Sequence, residues 1–273
     1  RSAGVLARAL DKAAQAEFDK DHASKKAEEQ WRKAAFYYSV SVERALSGTA
    51  ALQADEVTEI AQRLYVLGLF FNRVPEGQFS FVDWQGTVVD TDLWEKTARI
   101  YERLESQAPS IKISIEHARV VAILGRIGEA EDIYARLFDQ VSLLEPSGKF
   151  DRSVVDARPE LVSAYLEWGV TTHLVGLESK DEGRLDRARD IYDRIVKNST
   201  EASRLWWQAK FSYVKLLSDR GDYDNADTAI RNVKRGTGPK YDEGKFGFQE
   251  KFQALEAELS KKVKPGSKPK PAA

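Results

Sequence analysis

The sequence predicts an all-α protein made of antiparallel helix pairs stacked one on the next, and three observations carry that prediction. A tyrosine-centred segment is written three times: "KTARIYERLE" (96–105), "EAEDIYARLF" (129–138) and "DRARDIYDRIV" (186–196). A small residue (Thr97, Ala130 or Ala188) stands four places before each tyrosine, which puts the two on one face of a helix. Between helical patterns the chain inserts only short glycine turns such as "GRIGEA" (125–130), so the flanking helices must run antiparallel.

The elements follow in chain order. Residues 1–46 read as helical and strongly charged, ending in "WRKAAFYYSVSVERAL" (31–46). "SGTAALQADE" (47–56) breaks the pattern, with Asp55 as the expected cap of a helix that runs to about Asn72. That helix aligns Ile60, Leu64, Leu67 and Phe71, and residues 1–73 form a divergent helical start. Residues 74–92 are the least helical part, with Pro75, Gly77, Gly86, alternating Phe79 and Phe81, and the β-rich "TVV" (87–89). They read as a non-helical insertion, either a short hairpin or an irregular loop.

Repeats occupy about 93–235. In 111–138, Ile115, Ala118, Val121, Ala122 and Ile123 recur at helical spacing, Gly125 ends the helix, and Ala130, Ile133, Tyr134 and Leu137 continue in a second one. In 212–233 the same frame returns with Gly221, Ala226, Ile230 and Val233. In 183–195 it returns with Gly183, Leu185, Ala188, Tyr192 and Ile195. A second insertion, "LEPSGKFDRSVVDARPEL" (144–161), separates the copies, and Pro159 suits the first turn of a long helix. Residues 248–262 align Phe248, Phe252, Leu255 and Leu259 as a terminal capping helix. Residues 263–273 are Lys- and Pro-rich and read as an extended tail.

These features resemble the tetratricopeptide repeat (TPR) family, a helix–turn–helix unit of roughly 34 residues. The resemblance rests on the turn glycines, the small residue early in the second helix, the aromatic four residues on, and Pro109 after the first copy. It implies a right-handed solenoid, residues 1–262 as one repeat domain, and a concave groove lined by first helices that holds a peptide or helix of a partner. On the comparable first-helix faces stand Lys112, Ile115 and Arg119, then Gln208, Phe211 and Lys215. No asparagine occupies those positions, which departs from the family's C-terminal carboxylate clamps. The mixed apolar and basic face suits a segment with some acidic character.

Other readings are narrowed by composition. The 42 basic and 43 acidic side chains do not advertise nucleic acid, and the densest apolar run, "LYVLGLFF" (64–71), is too short to span a membrane. Cysteine is absent, which excludes disulfides and thiolate chemistry. His22, His117 and His173 are far apart with no second ligand nearby, and read as surface or groove-lining side chains. No phosphate loop, metal motif or nucleophile elbow is present, so neither enzyme activity nor a cofactor is expected.

The expected function is therefore an adaptor or scaffold within a larger assembly, with a self-associating filament or shell subunit as the alternative. Phe79, Phe81 and Trp84 in the insertion form either a partner-contacting lip or a flap packed on the domain. Five lysines from 261 onward, with no acid, make the tail a solubilising linker or a contact for an acidic surface. "NST" (198–200) fits a glycosylation acceptor. The absence of methionine and cysteine leans toward an exported or periplasmic location, with a cytoplasmic one as the alternative. Oligomeric state is left open.

Overall fold

The computed structural model describes residues 3–47, 53–72 and 90–262. Of the insertion expected over 74–92, Thr91 and Asp92 already belong to a helix, while residues 74–89, with Phe79, Phe81 and Trp84, and the tail 263–273 lie outside the described residues. Within them the chain is all-helical, with twelve helices and no strand, only an isolated antiparallel bridge between Leu144 and Phe150. None of these helices is long and apolar enough to cross a membrane. The chain divides into two compact units, Arg1–Ile133 and Tyr134–Ala273.

The first unit holds α1 (Ala3–Phe18), α2 (Lys25–Leu46), α3 (Ala54–Phe71), α4 (Thr91–Gln107), α5 (Ile111–Ile123) and the start of α6 (Ile127–Gln140). Each of α1 to α5 packs on its chain neighbour, and α2 also reaches α4. Asp11 ties α1 to α2 and α3 by accepting from Trp31 Nε1 (3.0 Å), Tyr38 Oη (3.0 Å) and Arg63 Nε (2.8 Å). A half-buried carboxylate is tolerated there because every oxygen has a donor. Asp55 does not cap α3. Gln53 stands at the cap, and Glu56 accepts from its backbone N–H at 3.2 Å, leaving Asp55 in the first turn.

The second unit continues through α7 (Arg152–Ala157), α8 (Glu160–Ser179), α9 (Glu182–Asn198), α10 (Arg204–Asp219), α11 (Tyr223–Thr237) and α12 (Phe248–Lys262). From α7 to α11 each helix packs on its chain neighbour, while α10 also touches α8 and α12, and α11 touches α12. Tyr101, Tyr134 and Tyr192 are fully buried, as are Thr97, Ala130 and Ala188 before them. The repeated motif is therefore core packing. Phe248, Phe252, Leu255 and Leu259 are buried too, and Phe252 stacks on Tyr241 at 5.0 Å.

Turn chemistry explains two of the copies and corrects the third. Gly125 and Gly221 have φ of 79° and 77°, and the following residues donate back to Val121 and Leu217 at 3.1 and 2.9 Å. This six-to-one closure needs a left-handed residue, which glycine supplies without a side-chain clash. Gly183, expected to play the same part, instead lies in the first turn of α9. The left-handed position is Lys180, at φ 55°, and Asp181 donates back to Gly176 at 2.9 Å. The helix α9 begins six residues before its small residue Ala188, where α6 and α11 begin three before theirs.

Candidate functional site

The sequence-predicted groove residues are divided between the units and between surface and core. In the first unit Lys112 is exposed and Arg119 half-buried, but Ile115 is buried. Glu116 sits between those two bases on α5. Burial pushes its carboxyl up, while the Tyr101 hydroxyl donating at 2.9 Å, then Lys112 and Arg119, draw it back. In the second unit Gln208 is buried, and Phe211 packs on Phe252 (5.3 Å) and Phe248 (6.0 Å) beneath α12. Lys215 is exposed and paired with Asp219. His117 and His173 are buried, the first against Glu105 at 2.8 Å and the second 3.4 Å from Asp219. Neither is a surface side chain, because each sits opposite a carboxylate inside its unit.

The second unit carries two clefts that sequence reasoning did not find. One, of about 370 Å³, is enclosed by the end of α6, the loop 141–144, and the facing sides of α8 and α9. Its shelf is aromatic. Phe138 stacks on Trp168 (5.4 Å, 17°), and Tyr165 meets both rings edge-on or tilted, at 5.2 and 5.8 Å. The Trp168 indole N–H is buried without an acceptor among the described residues.

Across from the shelf, α9 presents Arg187, Asp190, Ile191 and Arg194. Positions i, i+3, i+4 and i+7 share one helix face. Leu185, Ala188, Tyr192 and Ile195 occupy the buried side of the same helix. Arg187 and Arg194 are exposed, and neither has a carboxylate in ion-pair range among the described residues. Burial pushes the Tyr165 hydroxyl up, and Arg194, lying against it, opposes that push.

The loop wall is held by one side chain. Asn198, at the end of α9, accepts from Phe150 N at 3.0 Å and donates to Gly148 O at 3.3 Å and Arg194 O at 2.7 Å. With Glu145 N bonded to Lys149 O (2.8 Å) and Asp151 N to Leu143 O (2.9 Å), this holds Leu143 and Leu144 against the cleft. A glycan at the amide nitrogen of Asn198 would replace one of its two hydrogens, so the nitrogen could keep at most one of the two bonds it donates.

The other cleft, of about 420 Å³, has α10 as its floor between α9 and α11. Lys210 is half-buried there, its ammonium 5.6 Å from the centre of the Tyr213 ring. Burial holds that ammonium below the ordinary lysine value, against a partial upward pull from Asp193. Asn225, Thr228 and Asn232 line the opposite wall.

The signals for both clefts were present but masked by the repeat. Arg187 and Arg194 sit inside "DRARDIYDRIV", where the tyrosine pattern accounts for the segment and draws attention to its buried side. Trp168 stands at a position the repeat frame does not explain, and that mismatch was the usable clue. Neither cleft contains a nucleophile, base and stabiliser converging on one point. No protein-family model matches the chain, and no curated protein matches it.

Proposed function

We propose that this chain is a non-catalytic protein-interaction scaffold of TPR type, a right-handed solenoid of helix pairs that holds a segment of a partner within a larger assembly. The observation that carries this reading is the aromatic shelf of Phe138, Tyr165 and Trp168 facing Arg187 and Arg194, two arginines outside any ion pair among the described residues. Aromatic and arginine side chains dominate the energetics of protein interfaces, because they combine large contact area with directed hydrogen bonds. The buried tyrosine repeat and the chain-neighbour packing support the helical-repeat part of the reading. The binding face differs from the expected one. We place it on α8 and α9 with the loop 141–144, because Gln208 is buried and Phe211 is partly buried against the core of the second unit.

The alternative, a self-associating architectural subunit, draws on one feature, Phe36 on α2 at 56% exposure. Selection of a displayed random-peptide library on the intact protein and on an R187E/R194E variant tests the main reading. The expected result is a set of segments enriched on the native protein and lost on the variant. Equal enrichment on both, or a native mass that climbs with concentration in sizing runs, contradicts it.

A further inference from the structure

We propose that the α8–α9 cleft selects an acidic, proline-containing segment in the polyproline II conformation, with carboxylates at positions i and i+3. The proposal rests on the interaction reading above and names the partner chemistry for that site.

Charge comes first. Arg187 and Arg194 are the cations of the cleft, and Asp190 stands between them on the same face. Other arginines of α9 are occupied: Arg184 lies 3.7 Å from Asp181, and Arg189 lies 3.5 Å from Asp186. The facing elements add no further charge to the lining, since α6, the loop 141–144 and α8 contribute only Phe138, Val141, Ser142, Leu143, Leu144, Tyr165 and Trp168. The cleft face of the helix therefore shows two cations flanking Asp190, whose charge Arg189 partly offsets from 3.9 Å away, a row that attracts two acids at the flanking positions.

Spacing comes second. Seven residues of α-helix separate the two arginines by about 10 Å along the axis. A polyproline II segment repeats every three residues at about 3.1 Å each, so its i and i+3 side chains point the same way about 9 Å apart. In an extended strand, same-side neighbours stand roughly 7 or 13 Å apart, and both miss the pair. An α-helix with acids at i and i+7 matches the distance, but at about 10–12 Å across it offers only an edge to a cleft of this size.

Surface chemistry comes third. The stacked Phe138–Trp168 pair, with Tyr165 set edge-on beneath it, makes the floor aromatic, the kind of surface on which proline rings dock with little loss of chain entropy. The Trp168 indole N–H is buried within this aromatic group without an acceptor among the described residues, so it reports on the packing of the floor rather than adding a bond to the segment.

Fluorescence anisotropy with synthetic peptides and the full chain tests this. The set comprises a proline-rich host with glutamates at i and i+3, the same host with glutamates at i and i+2, a lysine-substituted control, and a helical peptide with glutamates at i and i+7. The expected result is at least tenfold tighter binding of the i, i+3 peptide than of any other. R187Q and R194Q, both on exposed side chains, should each weaken it about tenfold, with circular dichroism confirming that the helices are retained. Preference for the helical or i, i+2 peptide, or indifference to either arginine, overturns the proposal. Library segments that depend on both arginines yet lack the i, i+3 pattern overturn it while leaving the interaction reading intact; absence of any such segment removes both.

Discussion

At the scale of single residues, Asp242 does the most with one side chain. Its carboxylate accepts backbone N–H groups from Gly244 (3.1 Å), Phe246 (2.8 Å), Phe248 (2.9 Å) and Gln249 (2.9 Å). Burial pushes its pKa up, but those four donors outweigh burial and leave the carboxyl below the usual aspartate value. A depressed folded pKa contributes stability above the unfolded value of about 3.9, and that contribution is lost as pH falls through the folded value. Asp242→Asn should therefore lower the urea stability by about 1–3 kcal/mol at pH 7. The difference between the two proteins should shrink as pH falls below about 3.9 and through the depressed folded value of Asp242. Equal stability at pH 7 would show that the loop before α12 does not depend on the charge. None of this was legible in "GTGPKYDEGKFG", because four acceptor contacts on one aspartate depend on how the loop folds back over it. The buried tyrosines, by contrast, were legible, since their partners recur at fixed helical spacing.

Among the elements, α8 and α9 depend on glycine in a way the repeat pattern only half discloses. A Cβ placed at Gly169 would come within 2.8 Å of Ile191 and 2.9 Å of Tyr192, and one at Gly176 within 2.8 Å of Leu185. The pairing of the later glycine with the earlier partner shows the two helices running antiparallel. Their close approach also sets the width of the cleft above them. At the turn between them the demand is reversed, because Lys180 holds a left-handed backbone that suits glycine. Glycine chemistry thus predicts opposite signs at two positions of one helix pair. Gly169→Ala should destabilise by about 1–3 kcal/mol through overpacking, while Lys180→Gly should stabilise by up to about 1 kcal/mol. Thermal melts of both variants check this, and a neutral Gly169→Ala would mean that the helices can part. The sequence frame put the turn at Gly183 because it counted back from Ala188. It could not register that α9 gains a turn at its start.

For the whole molecule, the all-α class and the terminal helix α12 were readable from the 3.6-residue spacing of apolar residues. The division into two units was not, since the break falls inside α6, between Ile133 and the motif tyrosine Tyr134. Nor was the location of the candidate site. Sequence placed it on first helices by family resemblance, and two of those six residues, Ile115 and Gln208, are buried. The arginines and tryptophan that form the cleft come from α8 and α9 and are joined by a loop wall that Asn198 holds from 48 and 50 residues away in sequence. Contacts of that range depend on the fold, and no local spacing encodes them.

The claim on which the functional account stands is that a partner's segment lies on Trp168 between Arg187 and Arg194. Indole N–H resonances in a ¹H–¹⁵N spectrum test it directly, with Trp168 assigned by a W168F variant. The Trp31 and Trp207 indoles, bonded internally to Asp11 and to Glu201 O, serve as controls in the two units. On addition of the acidic i, i+3 peptide, the account predicts a saturable shift of the Trp168 signal with the other two unmoved. Binding that shifts Trp31 or Trp207 and leaves Trp168 in place would contradict it.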